Sequence, residues 1–237
     1  MQHILSETKH RPWELPYGKW QYYQEWNDAL FIHFEVNYEM LRNLVPDQLN
    51  IDQFEGKYYI SVVAFKMEKI RPRKLPSVSF ISDFYEINVR TYINNNDKQG
   101  VYFLNIEAEK QLSAFVARTL SGLPYEKSEI KRSENHYTNK NSRKNFSLTS
   151  AFKTGEKIKN KSAFDLWLTE RYCLYLLRDN EFLRYEIHHK EWPLYSVKDS
   201  AISLHYKFGP IELTGENILS CHYSPGVEVV SWEAEKL

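Results

Sequence analysis

The sequence predicts a mainly β chain with a few short helices. Phe84 to Ile93 alternates without a break. Tyr85, Ile87, Val89, Thr91 and Ile93 fall on one side, and Glu86, Asn88 and Arg90 on the other. That period of two belongs to a strand. Aromatic residues make up 15% of the 237 residues, with 17 Tyr and 6 Trp, a composition suited to half-buried pleated surfaces. No Pro/Gly/Ser-rich linker and no internal repeat divides the chain, so one domain over residues 1–237 is expected.

In chain order, residues 1–19 are expected to form an irregular polar arm with Pro12 and Pro16, laid across the surface and anchored by Trp13 and Trp20. Ala29 to Val36 reads as a strand. Asn37 caps a short helix from Tyr38 to Leu44, which Pro46 closes. Leu49 to Phe54 and Tyr58 to Ile70 read as a hairpin around Glu55-Gly56. Arg71 to Pro76 is a stiff basic loop, either an anion-binding rim or an exposed connection.

After the alternating strand, Asn94 to Gly100 is rich in turn residues and Val101 to Ala108 returns as a strand. Leu112, Phe115, Val116 and Leu120 then recur at helical spacing, and Gly122 with Pro124 supplies the stop. Residues 126–161 hold ten Lys or Arg against four acidic residues, with Tyr137, Phe146 and Phe152 interleaved. Such a mixture suits nucleic acid or a solvated outer pair of strands. No helix-turn-helix, finger or RNP motif supports the first, so no nucleic-acid partner is expected.

Ser162 and Asp165 form a capping box ahead of a short helix. Two strands follow, Thr169 to Leu177 and Phe182 to His189. If Asp179-Asn180 is a two-residue turn, Arg178 opposes Glu181 and Leu176 opposes Leu183, and extrapolation brings Glu170 opposite His189. An acid–imidazole pair at the end of an apolar face could move protons, or could be a satisfied polar pair at a sheet edge. The other face sets Arg171 against His188. Adjacent strand residues point to opposite faces, so His188 and His189 are poor joint ligands for one metal. His222 beside Cys221 lacks a second ligand pair. Ala201 to Trp232 resumes strand alternation, broken at Gly209-Pro210 and Pro225-Gly226.

Charge is balanced at 31 basic and 31 acidic residues, which gives no general attraction to polyanions. Two cysteines without metal spacing, no apolar leader and no bilayer-length apolar run point to a cytoplasmic protein with no membrane partner. Walker, dinucleotide, Gly-x-Ser-x-Gly and His-Glu-x-x-His motifs are missing. No cofactor or metal is expected.

Glu86 followed by Arg118 and by Gly122-Leu123-Pro124-Tyr125 resembles the acetoacetate decarboxylase superfamily. There a strand glutamate precedes a helix arginine and a Gly-x-Pro-Lys segment whose lysine forms a Schiff base. Tyr125 stands at the lysine's position, and the nearest lysine is Lys127. More of the chain resembles a narrower group, the YqjF-like proteins. The matching segments include Leu30-Phe31-Ile32-His33-Phe34, Val45-Pro46-Asp47-Gln48-Leu49, Phe84 to Tyr92, Gly100-Val101-Tyr102-Phe103, Leu168 to Tyr175 and Ile187 to Leu194.

The resemblance implies an antiparallel β-barrel or cone with an interior pocket. On that basis Glu86 is the acid–base candidate and Tyr125 a donor to a carbonyl oxygen. Asn88, Arg90, Arg118, Glu170, Arg171 and His189 are candidates for binding a small carboxylate or carbonyl ligand. Three functions stay open: a binding or sensing protein, an acid–base enzyme on small carbonyl compounds, and an interaction module using the basic 126–161 face. The sequence is compatible with a homodimer without specifying one.

Overall fold

The computed structural model describes residues 2–110, 125–178 and 180–237. The expected helix over 112–120, its Gly122–Pro124 stop, Arg118 and Asp179 lie outside the described residues.

Strand β1 (Tyr22–Val36) begins well before the apolar run that announces it. Its pairing with the neighbouring strand shifts twice in the first half: between Tyr23 and Glu25 the extra residue is the neighbour's, and between Asn27 and Leu30 it is β1's own. The extra residue in β1 breaks the alternation by which a strand is recognised. Asn37 caps the helix Tyr38–Arg42 by accepting from Met40 N.

Strand β2 (Tyr58–Pro72) takes in the start of the expected basic loop. The expected hairpin partner, Leu49 to Phe54, is not a strand. Phe54 and Lys57 close a tight turn on each other, and Ile51 bridges Ile93. β2 is already paired on both sides, by β1 and by β3 (Phe84–Asn95), so it offers no edge for a further strand. β3 turns into β4 (Lys98–Ala108) through Asn96-Asp97, whose φ angles are 52° and 59°. Two successive left-handed residues make the primed turn that matches strand twist.

β5 (Tyr125–Lys127) lies parallel to β4. β6 (Glu129–Ser133), β7 (His136–Asn141) and β8 (Phe146–Lys157) form an antiparallel meander. In β8, Phe146, Leu148, Ser150 and Phe152 are buried while Ser147, Thr149, Ala151 and Lys153 are exposed, so the basic segment is a two-faced outer layer.

The capping box forms, with Asp165 N donating to Ser162 Oγ at 3.0 Å and Ser162 N donating to Asp165 at 2.8 Å. The helix runs from Ala163 to Thr169. β9 (Cys173–Arg178) and β10 (Glu181–His189) keep the expected register, from Arg178–Glu181 to Cys173–Glu186. β9 starts later than expected because Glu170 N still donates to Leu166 O, carrying helical bonding past Thr169.

β11 (Tyr195–Phe208) turns at Gly209-Pro210 into β12 (Ile211–Thr214). β13 (Ser220–Ser231) passes unbroken through Pro225-Gly226, against expectation. Gly226 has φ 131°, and a Cβ there would lie 2.5 Å from Asn27 Oδ1. Only glycine accepts both that angle and that approach, so the dipeptide accommodates the β1 bulge rather than ending the strand. β14 (Glu235–Lys236) edges β10.

The pairings β1–β2–β3–β4–β9–β10–β13 close into a ring, because β10 pairs β13 and β13 pairs β1. The β4–β9 contact is parallel, and Gly100 meets Cys173 so closely that a Cβ would lie 2.8 Å from the Cys173 carbonyl carbon. From β13 the sheet continues through β11, β8, β7 and β6 as a second layer. Alternation along the ring strands therefore serves two cores. Leu30, Ile32, Val62, Ile87 and Val89 pack outward against Tyr137, Leu148 and Tyr206 of the second layer. Phe31, Val63, Phe65 and Ile187 pack inward with Tyr125 and Trp192.

The N-terminal arm is not irregular throughout, since Gln2–Leu5 is helical, and it is tied down more firmly than its polarity suggests. Ile4 and Trp20 are buried with Tyr23 and Trp232. Arg11 donates to Glu186 at 2.6 Å, and Trp13 Nε1 donates to the same carboxylate at 2.8 Å.

Candidate functional site

The ring encloses a cavity of about 120 Å³. Its polar wall includes Glu86, Asn88 and Arg90 from β3, Tyr125 from β5, and Arg171 and His189; Trp26, Phe31, Phe65, Phe103 and Trp192 supply aromatic surface. The β3 triplet is 3%, 3% and 8% exposed, so it is not a solvated strand face. Both faces of β3 are covered, one by the second layer and one by the ring interior.

Register brings Glu86 and Tyr125 together. Asn88 on β3 opposes Ile106 on β4, and Ile106 pairs in parallel with Tyr125. Tyr125 donates to Glu86 Oε2 at 2.8 Å, and Asn88 Nδ2 donates to Oε1 at 3.1 Å. Burial pushes the Glu86 carboxyl up to about 7, against the opposing effect of these two bonds and of Arg90. Burial, reinforced by the adjacent carboxylate, holds the Tyr125 phenol well above the usual tyrosine range.

Two arginines line the cavity. Arg90 lies 5.7 Å from the Phe31 ring, and burial lowers its proton affinity. Arg171 donates from Nη1 to Asp52 at 2.5 Å and from Nε to Trp167 O at 2.7 Å, and stacks on Trp167 and Tyr92. Three buried atoms on these residues, Arg90 Nε, Arg171 Nη2 and Asn88 Oδ1, find no hydrogen-bond partner among the described residues. Leaving a buried polar group unpaired costs about 1–3 kcal/mol, and the three residues that carry these atoms all line the cavity.

Glu170 and His189 are not the hydrogen-bonded pair that extrapolated register expects. Glu170, at the end of the helix, accepts from Tyr172 Oη at 2.6 Å and from Trp192 N at 2.9 Å. Burial raises its carboxyl. His189 bonds the Lys190 carbonyl through Nδ1 at 2.7 Å, and burial lowers its imidazole to about 3. Tyr172 and Trp192 pack against His189, at 4.9 and 5.5 Å between ring centroids. Arg171 sits with Asp52 and Tyr92 rather than with His188, again because the helix removes it from strand register. Arg118 lies outside the described residues. The partnership of Arg171 with Asp52 and the aromatic wall went unread in the sequence; both depend on contacts between distant segments.

No helix among the described residues is long and apolar enough to cross a membrane. The sequence profile of the family DUF2071, described as an uncharacterized conserved protein, matches residues 23–228. The uncharacterized protein YqjF of Bacillus subtilis (strain 168) is 32% identical over 230 residues, covering 94% of this chain and 95% of that protein. A solved acetoacetate decarboxylase superposes with a TM-score of 0.61 at 15% identity, covering 100% of this chain and 98% of that one. The enduracididine biosynthesis enzyme MppR, in a structure complexed with pyruvate, superposes at 0.63 with 7% identity, covering 95% of this chain and 93% of that one. These two structures share the fold.

Proposed function

This chain belongs to the DUF2071 family, and on that premise we propose that its ring cavity binds a small carboxylate or carbonyl compound. The observation that carries this reading is that two arginines, Arg90 and Arg171, stand with Asn88 in the wall of a cavity of about 120 Å³. A guanidinium presents paired donors to a carboxylate, which favours that ligand class over a neutral hydrocarbon. The small volume and aromatic wall favour a short apolar tail.

Glu86 gives the second reading, an enzyme that moves protons on the bound carbonyl compound. A carboxyl near pKa 7 is populated in both forms at neutral pH, as a general acid or base requires. With a proton on Oε2, Glu86 can donate to the Tyr125 oxygen, which turns the phenol O–H toward a carbonyl oxygen of the ligand.

In either reading the ligand is held without an imine. A phenol cannot form one, and Tyr125 stands where the resembled decarboxylases carry their lysine. No lysine is among the described lining residues, and Lys127 is exposed. Pyruvate is a suitable probe because it carries both a carboxylate and a ketone. Borohydride reduction in its presence, followed by intact-mass analysis, is expected to leave the mass unchanged. An adduct mapped to Lys127 would overturn this reading and make imine chemistry the working mechanism.

A further inference from the structure

One buried side-chain chain is not used by the site as described. It crosses four neighbouring ring strands with one residue from each: Tyr92 on β3, Ser61 on β2, His33 on β1 and His222 on β13. Tyr92 Oη lies 2.5 Å from Ser61 Oγ, and Ser61 Oγ lies 2.6 Å from His33 Nδ1. His33 Nε2 lies 3.1 Å from His222 Nδ1, and His222 Nε2 lies 2.9 Å from Asp165 Oδ1. At the cavity end, the Tyr92 hydroxyl interacts with the Arg90 guanidinium, two residues before it on the same face of β3, and Arg171 stacks on its ring at 4.8 Å. Tyr92, Ser61 and His33 are 0% exposed and His222 is 5% exposed.

The ends of this chain fix the direction of every bond in it. Burial opposes ionisation of Asp165, but bonds from Ser162 and His222 hold its carboxyl below the usual range, so it accepts. His222 must then carry its proton on Nε2 and accept at Nδ1. His33 must likewise carry its proton on Nε2 and accept at Nδ1 from Ser61. With its own proton committed, Ser61 accepts from Tyr92, and the Tyr92 oxygen is left to accept from Arg90. Donors thus run one way, from the cavity guanidinium to the helix carboxylate. Burial and the neighbouring His222 keep the His33 imidazole well below its ordinary range, which suits a neutral link.

We infer that Ser61, His33, His222 and Asp165 are positioning residues that, through Tyr92, hold the Arg90 guanidinium in its ligand-binding orientation. This rests on the reading of Arg90 as a ligand-binding group. Buried hydrogen-bonded networks of this kind fix one arrangement only when every member is satisfied, so a break at the far end should be felt at Arg90.

The test is NMR on protein labelled with ¹⁵N in histidine and arginine. His33 and His222 are expected as neutral Nε2–H tautomers at pH 7. His222→Leu, four links away from Arg90, should loosen the Arg90 guanidinium, seen as faster side-chain exchange, and weaken pyruvate binding about tenfold. His222→Gln, which can still accept from His33 and donate to Asp165, should restore both. Ser61→Ala breaks the chain nearer the cavity and serves if His222→Leu fails to fold. An Arg90 signal unmoved by the breaks, or an Nδ1–H tautomer on either ring, would overturn the inference. If the Arg90 signal responds while pyruvate fails to bind the unmodified protein, the positioning chain stands and the ligand reading falls.

Discussion

Glu86→Gln is expected to stabilise the protein by about 3 kcal/mol at pH 8 and to remove most of its own share of the pH dependence of unfolding. Glu86 is buried with a carboxyl near pKa 7, against 4.5 for an ordinary glutamate. Between those values the folded state keeps a proton that the unfolded chain has released. The contribution of Glu86 to stability is therefore fully present below about pH 4.5 and is lost as pH rises through about 7. Glutamine keeps the acceptor for Asn88 and has no charge to desolvate, while the Tyr125 hydroxyl can turn to accept from the new amide. Buried Glu107 and Glu170 are also raised by burial, but they are present in both proteins and cancel in the comparison. Urea unfolding at pH 5.5 and pH 8 checks this. Parallel pH profiles for the two proteins would mean that Glu86 is an ordinary carboxylate. A residue that lowers stability at neutral pH while facing a cavity is what a functional group kept at a cost looks like.

Arg171→Met is expected to be the most damaging single change in the cavity wall, costing about 3–5 kcal/mol. It leaves the Asp52 carboxylate, whose side chain is 11% exposed, without its cation. It also removes the bond to Trp167 O and the stacking on Trp167 and Tyr92. Arg171→Lys should recover only part of the loss, because an ammonium cannot hold two acceptors in a fixed fork or stack on two rings. Adding Asp52→Asn to Arg171→Met should recover part of it by discharging the orphaned carboxylate. Urea unfolding of the four proteins measures these differences, and additive effects for Arg171→Met and Asp52→Asn would argue that the pair does not interact.

The strands that sequence reading located are those whose alternation survives into the fold. Phe84 to Ile93 kept its period because both cores accept alternate side chains, and the β9–β10 register followed from the two-residue spacing between Arg178 and Glu181. The first half of β1 was hidden by its bulge, and the Leu49–Phe54 hairpin failed because strand propensity cannot tell whether a partner edge is free. The same limit applies to the site. Glu86, Asn88 and Arg90 were visible as one face of one strand, but whether that face meets solvent or a cavity depends on ring closure by β10 and β13, about a hundred positions or more away in sequence. Glu170 and Arg171 were misassigned in register because the helix runs to Thr169 with Glu170 as its cap, and the strand begins only at Cys173. His33, Ser61, Tyr92 and His222 carry no shared motif, since each is a single inward position on a different strand.

The most direct test of the cavity as a carboxylate-binding site is calorimetric titration of pyruvate into the unmodified protein and Arg90→Leu, both confirmed folded. Saturable one-site binding is expected, weakened by about 2–5 kcal/mol in the variant as a desolvated charge partner is removed. No binding by the unmodified protein, or equal binding by both, would contradict it.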